Sequence, residues 1–183
     1  QVEPKVLFCA DGYYYNGKAC DSLQRLAEIR AQIDSIEQVV VVPLLASAPN
    51  LGGIDSAVTF PDFLDPQASE VEFTRLPFDH PLYIMYSSGT TGVPKCIVHG
   101  AGGSLLQHIK EHRLQVDLSR DDVFFYFTTC GWMMWNWLVS GLATGATLVL
   151  YDGSPFAQEG RLLLDAIDRE QISVFGTSAK FIA

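Results

Sequence analysis

The chain has 183 residues with a formal net charge of −9; 48% of its residues are hydrophobic and 18% are charged. This composition indicates a packed globular protein, and the length suits one α/β domain with a sizeable core. The negative charge argues against a nucleic-acid partner and a polybasic membrane-binding surface, because both need clustered Lys and Arg. Small anionic ligands are still possible, because a phosphate site depends on local backbone N–H groups and a few cations.

The cysteines and the chain ends bear on location and completeness. Four cysteines are scattered without a metal-ligand spacing, at Cys9, Cys20, Cys96 and Cys130, so we expect them to be reduced and to pack as small hydrophobes. No secretory signal opens the chain, which favours a cytoplasmic protein. Because it begins at Gln1, and Ser178 is placed to cap a helix longer than the remaining sequence, we expect a piece of a longer protein.

The first part of the chain predicts a βαβ unit over about residues 5–43. Val6 to Ala10 and Gln38 to Val42 are short apolar runs typical of buried parallel strands. Between them, a loop with a turn at Asn16-Gly17 leads to a helix capped by Asp21 or Ser22. An irregular connection over about 47–80 follows, because four prolines interrupt it.

The remainder, about 81–183, predicts strands that alternate with helices. The expected strands include Pro81 to Tyr86 and Val123 to Phe127, and a helix capped by Ser104 should place Leu105 and Leu106 inward. Residues 123–151 carry no formal charge and are long enough for a membrane span, but their internal glycines and polar residues favour strand, loop, helix and strand. The chain as a whole is predicted to be α/β, with a largely parallel sheet and flanking helices.

One short stretch, YSSGTTGVPK at residues 86–95, combines hydroxyl residues, two glycines and a lysine. Glycines allow several backbone N–H groups to point into one concavity, hydroxyls are neutral donors, and a lysine offsets the charge of terminal phosphates. The stretch is not a Walker A loop, because Lys95 lies three residues after Gly92 and an extended segment follows it. Spacing alone leaves both a phosphate loop and an ordinary solvated loop open.

The same stretch, preceded by an apolar strand and followed by I-V-H, resembles the phosphate-loop signature of the acyl-adenylate-forming superfamily. That superfamily includes acyl-CoA synthetases, luciferases and the adenylation domains of peptide synthetases. Four further stretches resemble its acetoacetyl-CoA synthetase branch: DGYYYNGK at 11–18, KCIVHGAGGSLLQH at 95–108, FFYFTTCGWMMWNWLVSGL at 124–142 and ATLVLYDGSP at 146–155. The resemblance covers nearly the whole chain and is weakest over about residues 47–77.

The resemblance implies an ATP-dependent acid–CoA ligase that uses Mg²⁺ and activates acetoacetate as an acyl-adenylate before transfer to CoA. It implies that the chain is part of the large N-terminal AMP-binding domain, and that the catalytic lysine and the C-terminal domain lie outside it. This piece alone is therefore expected to be inactive. The phosphate-binding residues implied are Ser87, Ser88, Gly89, Thr90, Thr91, Gly92 and Lys95, and the acyl-pocket candidates are Trp132 and Met133.

Two alternatives stay open at this point. An acetyl- or propionyl-type acyl-CoA synthetase would share the same loop, and a non-catalytic nucleotide-binding module would keep the loop without the chemistry. Among the other candidate residues, Trp135 and Trp137 are expected to pack in the core. His108 and His112 share a helix face, and without a third ligand we interpret that face as solvated.

Overall fold

The computed structural model of the chain describes residues 2–88 and 92–183. The chain divides into two compact units, Gln1–Thr74 and Arg75–Ala183. One buried hydrophobic cluster belongs to the first unit and two belong to the second. Within the described residues both units combine three-stranded parallel sheets with helices, so the predicted α/β class is confirmed.

The first unit contains a parallel sheet in the order β1–β4–β5 and a separate hairpin formed by β2 and β3. The central strand β4 is the most buried of the three, because Val39, Val40 and Val41 are fully covered. In chain order the elements are β1 (Val6–Ala10), β2 (Gly12–Tyr15), β3 (Lys18–Asp21), α1 (Leu23–Arg30), β4 (Gln38–Val42), β5 (Ala57–Thr59) and α2 (Phe60–Phe63).

The tight turn predicted at Asn16-Gly17 is present, but the residues around it form a hairpin instead of a loop. Asn16 and Gly17 have φ values of 49° and 76°, and two consecutive residues of positive φ suit the twist of antiparallel strands. Tyr15 pairs with Lys18 directly across the turn. Strands β2 and β3 were not predicted from the sequence, because β2 consists mainly of exposed tyrosines and lacks the alternation of apolar and polar residues that marks a half-buried strand.

A buried carboxylate joins two loops of the first unit. The Asp11 side chain is only 3% exposed, and it accepts backbone hydrogen bonds from Leu44, Leu45 and Ala46 at 2.8–2.9 Å. Burial alone raises the pKa of Asp11, but these bonds and one from the Gly12 N–H outweigh it and lower the pKa below its ordinary value. The carboxylate therefore holds the segment after β4 against the end of β1.

We expect Asp11→Asn to destabilise the first unit by about 1–3 kcal/mol, because an amide nitrogen cannot accept the bonds that the second carboxylate oxygen receives. Hydrogen exchange at residues 44–46 should become faster. Because the folded-state pKa is lowered, the stabilisation is present above the ordinary carboxyl pKa and is lost as the pH falls through the folded value. Asp34→Asn, at an exposed site, is the control; equal protection in the two variants would contradict the assigned role.

The second unit contains a parallel sheet in the order β10–β8–β9 and an antiparallel hairpin of β6 and β7. Phe124 and Phe125 of the central strand β8 belong to the two different hydrophobic clusters of this unit. In chain order the strands and α-helices are β6 (Pro81–Ser87), β7 (Lys95–Gly100), α3 (Ala101–Lys110), β8 (Val123–Tyr126), α4 (Met133–Ser140), β9 (Thr147–Val149), α5 (Arg161–Glu170), β10 (Val174–Gly176) and α6 (Ala179–Ile182).

Helix α3 departs from its prediction. It begins at Ala101 with Gly100 as N-cap, not at Ser104, and Leu105 and Leu106 are exposed. The ring of Phe78 occupies the place where a Cβ on Gly102 would be. A side chain at this position would have to displace the exposed Phe78 ring, and the helix follows β7 without a loop.

The uncharged stretch over residues 123–151 folds as β8, α4, a 3₁₀ turn (Gly141–Thr144) and β9, as predicted. Gly145 ends the turn in the left-handed conformation, with φ of 88°. Across the part of the chain that the structure describes, no helix is long and apolar enough to cross a membrane.

Candidate functional site

The predicted phosphate loop joins the two strands of a hairpin, as its strand–loop–strand context indicated. Ser87 ends β6 and pairs with Lys95, the first residue of β7. Between these two residues, three of the predicted phosphate-binding residues lie outside the described part of the chain: Gly89, Thr90 and Thr91. Gly92 has a φ of 129°, a backbone conformation that favours glycine whatever space surrounds it.

Burial alternates along strand β6 of this hairpin. The side chains of Tyr83, Met85 and Ser87 are half-buried, whereas their neighbours along β6 are exposed. Their partners on β7 are His99, Ile97 and Lys95 respectively. Because side chains alternate between the faces of a strand, these six residues share one face of the hairpin.

A cavity of about 1070 Å³ lies on the hairpin and brings together residues predicted for two different roles. Ser87 and Ser88, predicted to bind phosphate, line it together with Trp132 and Met133, the acyl-pocket candidates. Among the described residues, Gly92 and Lys95 are predicted site residues that do not line it. The structure therefore places the beginning of the loop, but not its lysine, beside the start of helix α4.

The three tryptophans near α4 have different environments. Trp132 is 70% exposed and precedes the helix as its N-cap residue, whereas Trp137 is 9% exposed and belongs to a hydrophobic cluster. Trp135 is partly buried against the same cluster. The predicted core packing of Trp135 and Trp137 is confirmed, and Trp132 is available to a ligand in the cavity.

Asn136 lines the same cavity and was not identified from the sequence. Its amide nitrogen lies 3.4 Å from the sulfur of Met85 on β6, so it connects the helix to the hairpin. The signal for it was present: Asn136 is the polar residue in MMWNWL, one turn into an otherwise apolar helix. A buried or half-buried amide in such a helix is normally held by a partner.

His112 overturns part of the sequence interpretation, because it is fully buried and not on a solvated face. Helix α3 continues as a π-helical turn, Glu111–Gln115, which alters the facing of the residues after Lys110. The His112 Nε2 atom lies 3.0 Å from the Trp137 carbonyl oxygen and 3.0 Å from Ser140 Oγ. Its ring contacts Trp137 at a centroid distance of 4.5 Å, so it joins α3 to the C-terminal half of α4.

The buried histidine is neutral in the folded protein. Burial lowers the pKa of His112, and the Trp137 carbonyl and Glu111 oppose this effect only in part. The other ring nitrogen, Nδ1, is buried without a hydrogen-bond partner among the described residues. A second proton would therefore place an unpaired charge in the core.

We expect the pH dependence of stability to report this histidine. The pKa of His112 is lowered on folding, so below about pH 6.5 the unfolded chain binds a proton that the folded chain does not. The free energy of unfolding therefore decreases as the pH is lowered. His112→Phe should reduce the loss of unfolding free energy between about pH 7 and pH 5, because phenylalanine does not titrate. Urea unfolding at the two pH values measures this. His80→Phe, at an exposed histidine, should leave the loss unchanged, and an unchanged loss in His112→Phe would refute the explanation.

The described residues do not form a cluster of acidic, histidine and cysteine side chains of the kind that holds a metal ion. No group of three or more His, Cys, Asp or Glu side chains suited to hold a metal ion occurs among residues 2–88 and 92–183.

The loop, the cavity and the α/β fold agree with one family of nucleotide-using enzymes. The chain belongs to the AMP-binding enzyme family, whose sequence profile matches residues 1–182.

Two relatives and one solved structure are similar to nearly the whole chain. The chain is 53% identical over 184 residues to acetoacetyl-coenzyme A synthetase of Rhizobium meliloti (strain 1021) and 44% identical over 202 residues to a malonamoyl-CoA synthetase of Penicillium aethiopicum. Each match covers 100% of this chain and 28% of the relative. The solved acetoacetyl-CoA synthetase from Streptomyces lividans matches with a TM-score of 0.90 and 44% identity, over 99% of this chain and 27% of that one. The chain thus spans little more than a quarter of the length of these proteins.

Proposed function

We propose that this chain is part of an ATP-dependent acid–CoA ligase that activates acetoacetate. Residues 1–183 would form part of its AMP-binding N-terminal domain, with the C-terminal domain and the catalytic lysine elsewhere in the protein. The observation that carries the proposal is the cavity that Ser87 and Ser88 share with Trp132 and Met133. A ligase of this kind must hold a phosphate chain beside a carboxylic acid, and this cavity has candidates for both tasks.

The proposed reaction has two steps. A carboxylate oxygen of acetoacetate attacks the α-phosphorus of ATP, and the bond to the bridging oxygen breaks as pyrophosphate leaves with the electron pair. The sulfur of CoA then attacks the acyl carbon, AMP leaves, and the thiol proton is released. Charge develops on pyrophosphate in the first step, so fixed N–H and O–H donors and one cation placed there would lower its barrier.

The residues proposed for that task are those of the loop. Ser87 and Ser88 would donate hydroxyl hydrogen bonds, Gly89 to Gly92 would contribute backbone N–H groups, and Lys95 would supply the positive charge. Lys95 pairs with Ser87 across the hairpin and lies on the same face, which supports a joint role for these two. Mg²⁺ enters the proposal as the ion that ATP carries.

The choice of acetoacetate rests on the relatives. Acetoacetyl and malonamoyl, the acyl groups in their names, both carry a second carbonyl group at C3. Trp132 and Met133, with 70% and 46% exposure, offer apolar surface for the short carbon chain of such an acid. We propose that small molecules are the partners of this protein and that it acts in the cytoplasm.

Lys95→Ala in the full-length protein should raise the KM for MgATP and lower kcat/KM by about 10- to 100-fold, because a charge-assisted contact to the leaving pyrophosphate is lost. Acetoacetate-dependent pyrophosphate release without CoA isolates this step. Lys5→Ala removes an exposed lysine that pairs with Glu37 at 2.6 Å, and it should leave the rate unchanged. Wild-type values of kcat and of the KM for ATP in Lys95→Ala would disprove the assigned role.

A panel of short acids tests the proposed substrate. With the unaltered full-length enzyme, acetoacetate should give a higher kcat/KM than acetate, propionate or butyrate. A preference for acetate or propionate would move the enzyme to the acetyl or propionyl type. No pyrophosphate release with any acid, despite nucleotide binding, would favour a non-catalytic module.

A further inference from the structure

A second cavity of about 500 Å³ lies in the second unit between β7, α3 and α4. Helix α4 contributes Met133, Met134 and Trp137 to its wall, α3 contributes Gln107 and His108, and the π-helical turn after α3 contributes Glu111. One side of this cavity is therefore apolar, whereas the other carries polar groups that the proposed reaction has not used.

The two cavities adjoin. Ile97, His99 and Met133 line both of them, so the two cavities are neighbours along β7 and the start of α4.

The polar wall has a defined charge pattern. The Gln107 amide donates to a Glu111 oxygen at 2.6 Å, and the Lys110 ammonium lies 3.9 Å from the same oxygen. Burial lowers the pKa of His108; Glu111 opposes this effect and His99 adds to it. The lowered pKa favours the uncharged ring of His108, which carries one N–H donor, and Glu111 is close enough to influence it.

We propose that the smaller cavity is the distal end of the acyl site, where His108 donates a hydrogen bond to the C3 carbonyl oxygen of a 3-oxo acid. This inference rests on the proposed function and adds the residue that distinguishes acetoacetate from a plain fatty acid. A neutral donor suits a ketone or amide oxygen, both of which are uncharged acceptors. Glu111 would repel a second carboxylate, so dicarboxylic acids would be poor substrates.

The test compares acetoacetate with butyrate, which has the same chain length without the C3 carbonyl. In the full-length enzyme, His108→Leu should lower kcat/KM for acetoacetate by about 10- to 100-fold and that for butyrate by less than about threefold. His108→Gln keeps an N–H donor and should retain most of the preference. His80→Leu is the matched control, because His80 is exposed and its Nδ1 atom lies 2.8 Å from the Pro81 carbonyl oxygen.

A second variant gives a gain of activity. Glu111→Gln removes the negative charge and should raise kcat/KM for malonate relative to acetoacetate by about fivefold or more. This measurement also decides the question if His108→Leu does not fold. An unchanged ratio of malonate to acetoacetate in Glu111→Gln would overturn the assignment of the polar wall.

The inference and the proposed function fail in different ways. If the unaltered enzyme releases no pyrophosphate with acetoacetate, the proposed function is wrong. If it does, but His108→Leu lowers the values for acetoacetate and butyrate by the same factor or changes neither, His108 does not read the C3 carbonyl and the inference alone is overturned.

Discussion

The antiparallel pairing of β6 with β7 is the constraint on which the candidate site depends. The ladder runs from Pro81 opposite Gly100 to Ser87 opposite Lys95, so both ends of the loop are fixed at one end of the hairpin. Because a shift of one residue would reverse the facing of every side chain, the same register decides which residues meet α4. Loop position and cavity lining therefore follow from one set of backbone hydrogen bonds.

The two ends of helix α4 differ in how they are packed. Its C-terminal half is held in the core, where the Trp137 carbonyl oxygen accepts a hydrogen bond from Ser140 at 2.6 Å and contacts His112. Its N-terminal end follows a loop and exposes Trp132. The firmly packed half of the helix therefore fixes the position of the residues at its exposed end.

Most of the fold was predictable from local sequence patterns, whereas the remaining features depend on packing between residues that are distant in the sequence. Strand β4, the uncharged β8–α4–β9 stretch and the turn at Asn16-Gly17 were predictable from patterns within a few residues of each other. The start of α3 was not, because the N–H groups of Ala101 and Gly102 in its first turn donate to the carbonyl oxygens of His80 and Phe78, in the segment before β6. The burial of His112 was missed because its partners, Trp137 and Ser140, lie 25 and 28 residues further along the chain.

The same division applies to the site. The stretch from Ser87 to Lys95 could be interpreted from sequence because phosphate recognition uses backbone groups, hydroxyls and a lysine within one loop. Selectivity between acids needs side chains that converge from separate elements, and the lining of the smaller cavity comes from β7, α3, α4 and the π-helical turn after α3. A loop signature can thus identify the class of chemistry, whereas the identity of the acid depends on residues whose proximity only the folded chain reveals. His108 illustrates this proximity: on the sequence it is one polar position of a helix, and in the fold it lines a cavity together with Met133 and Met134.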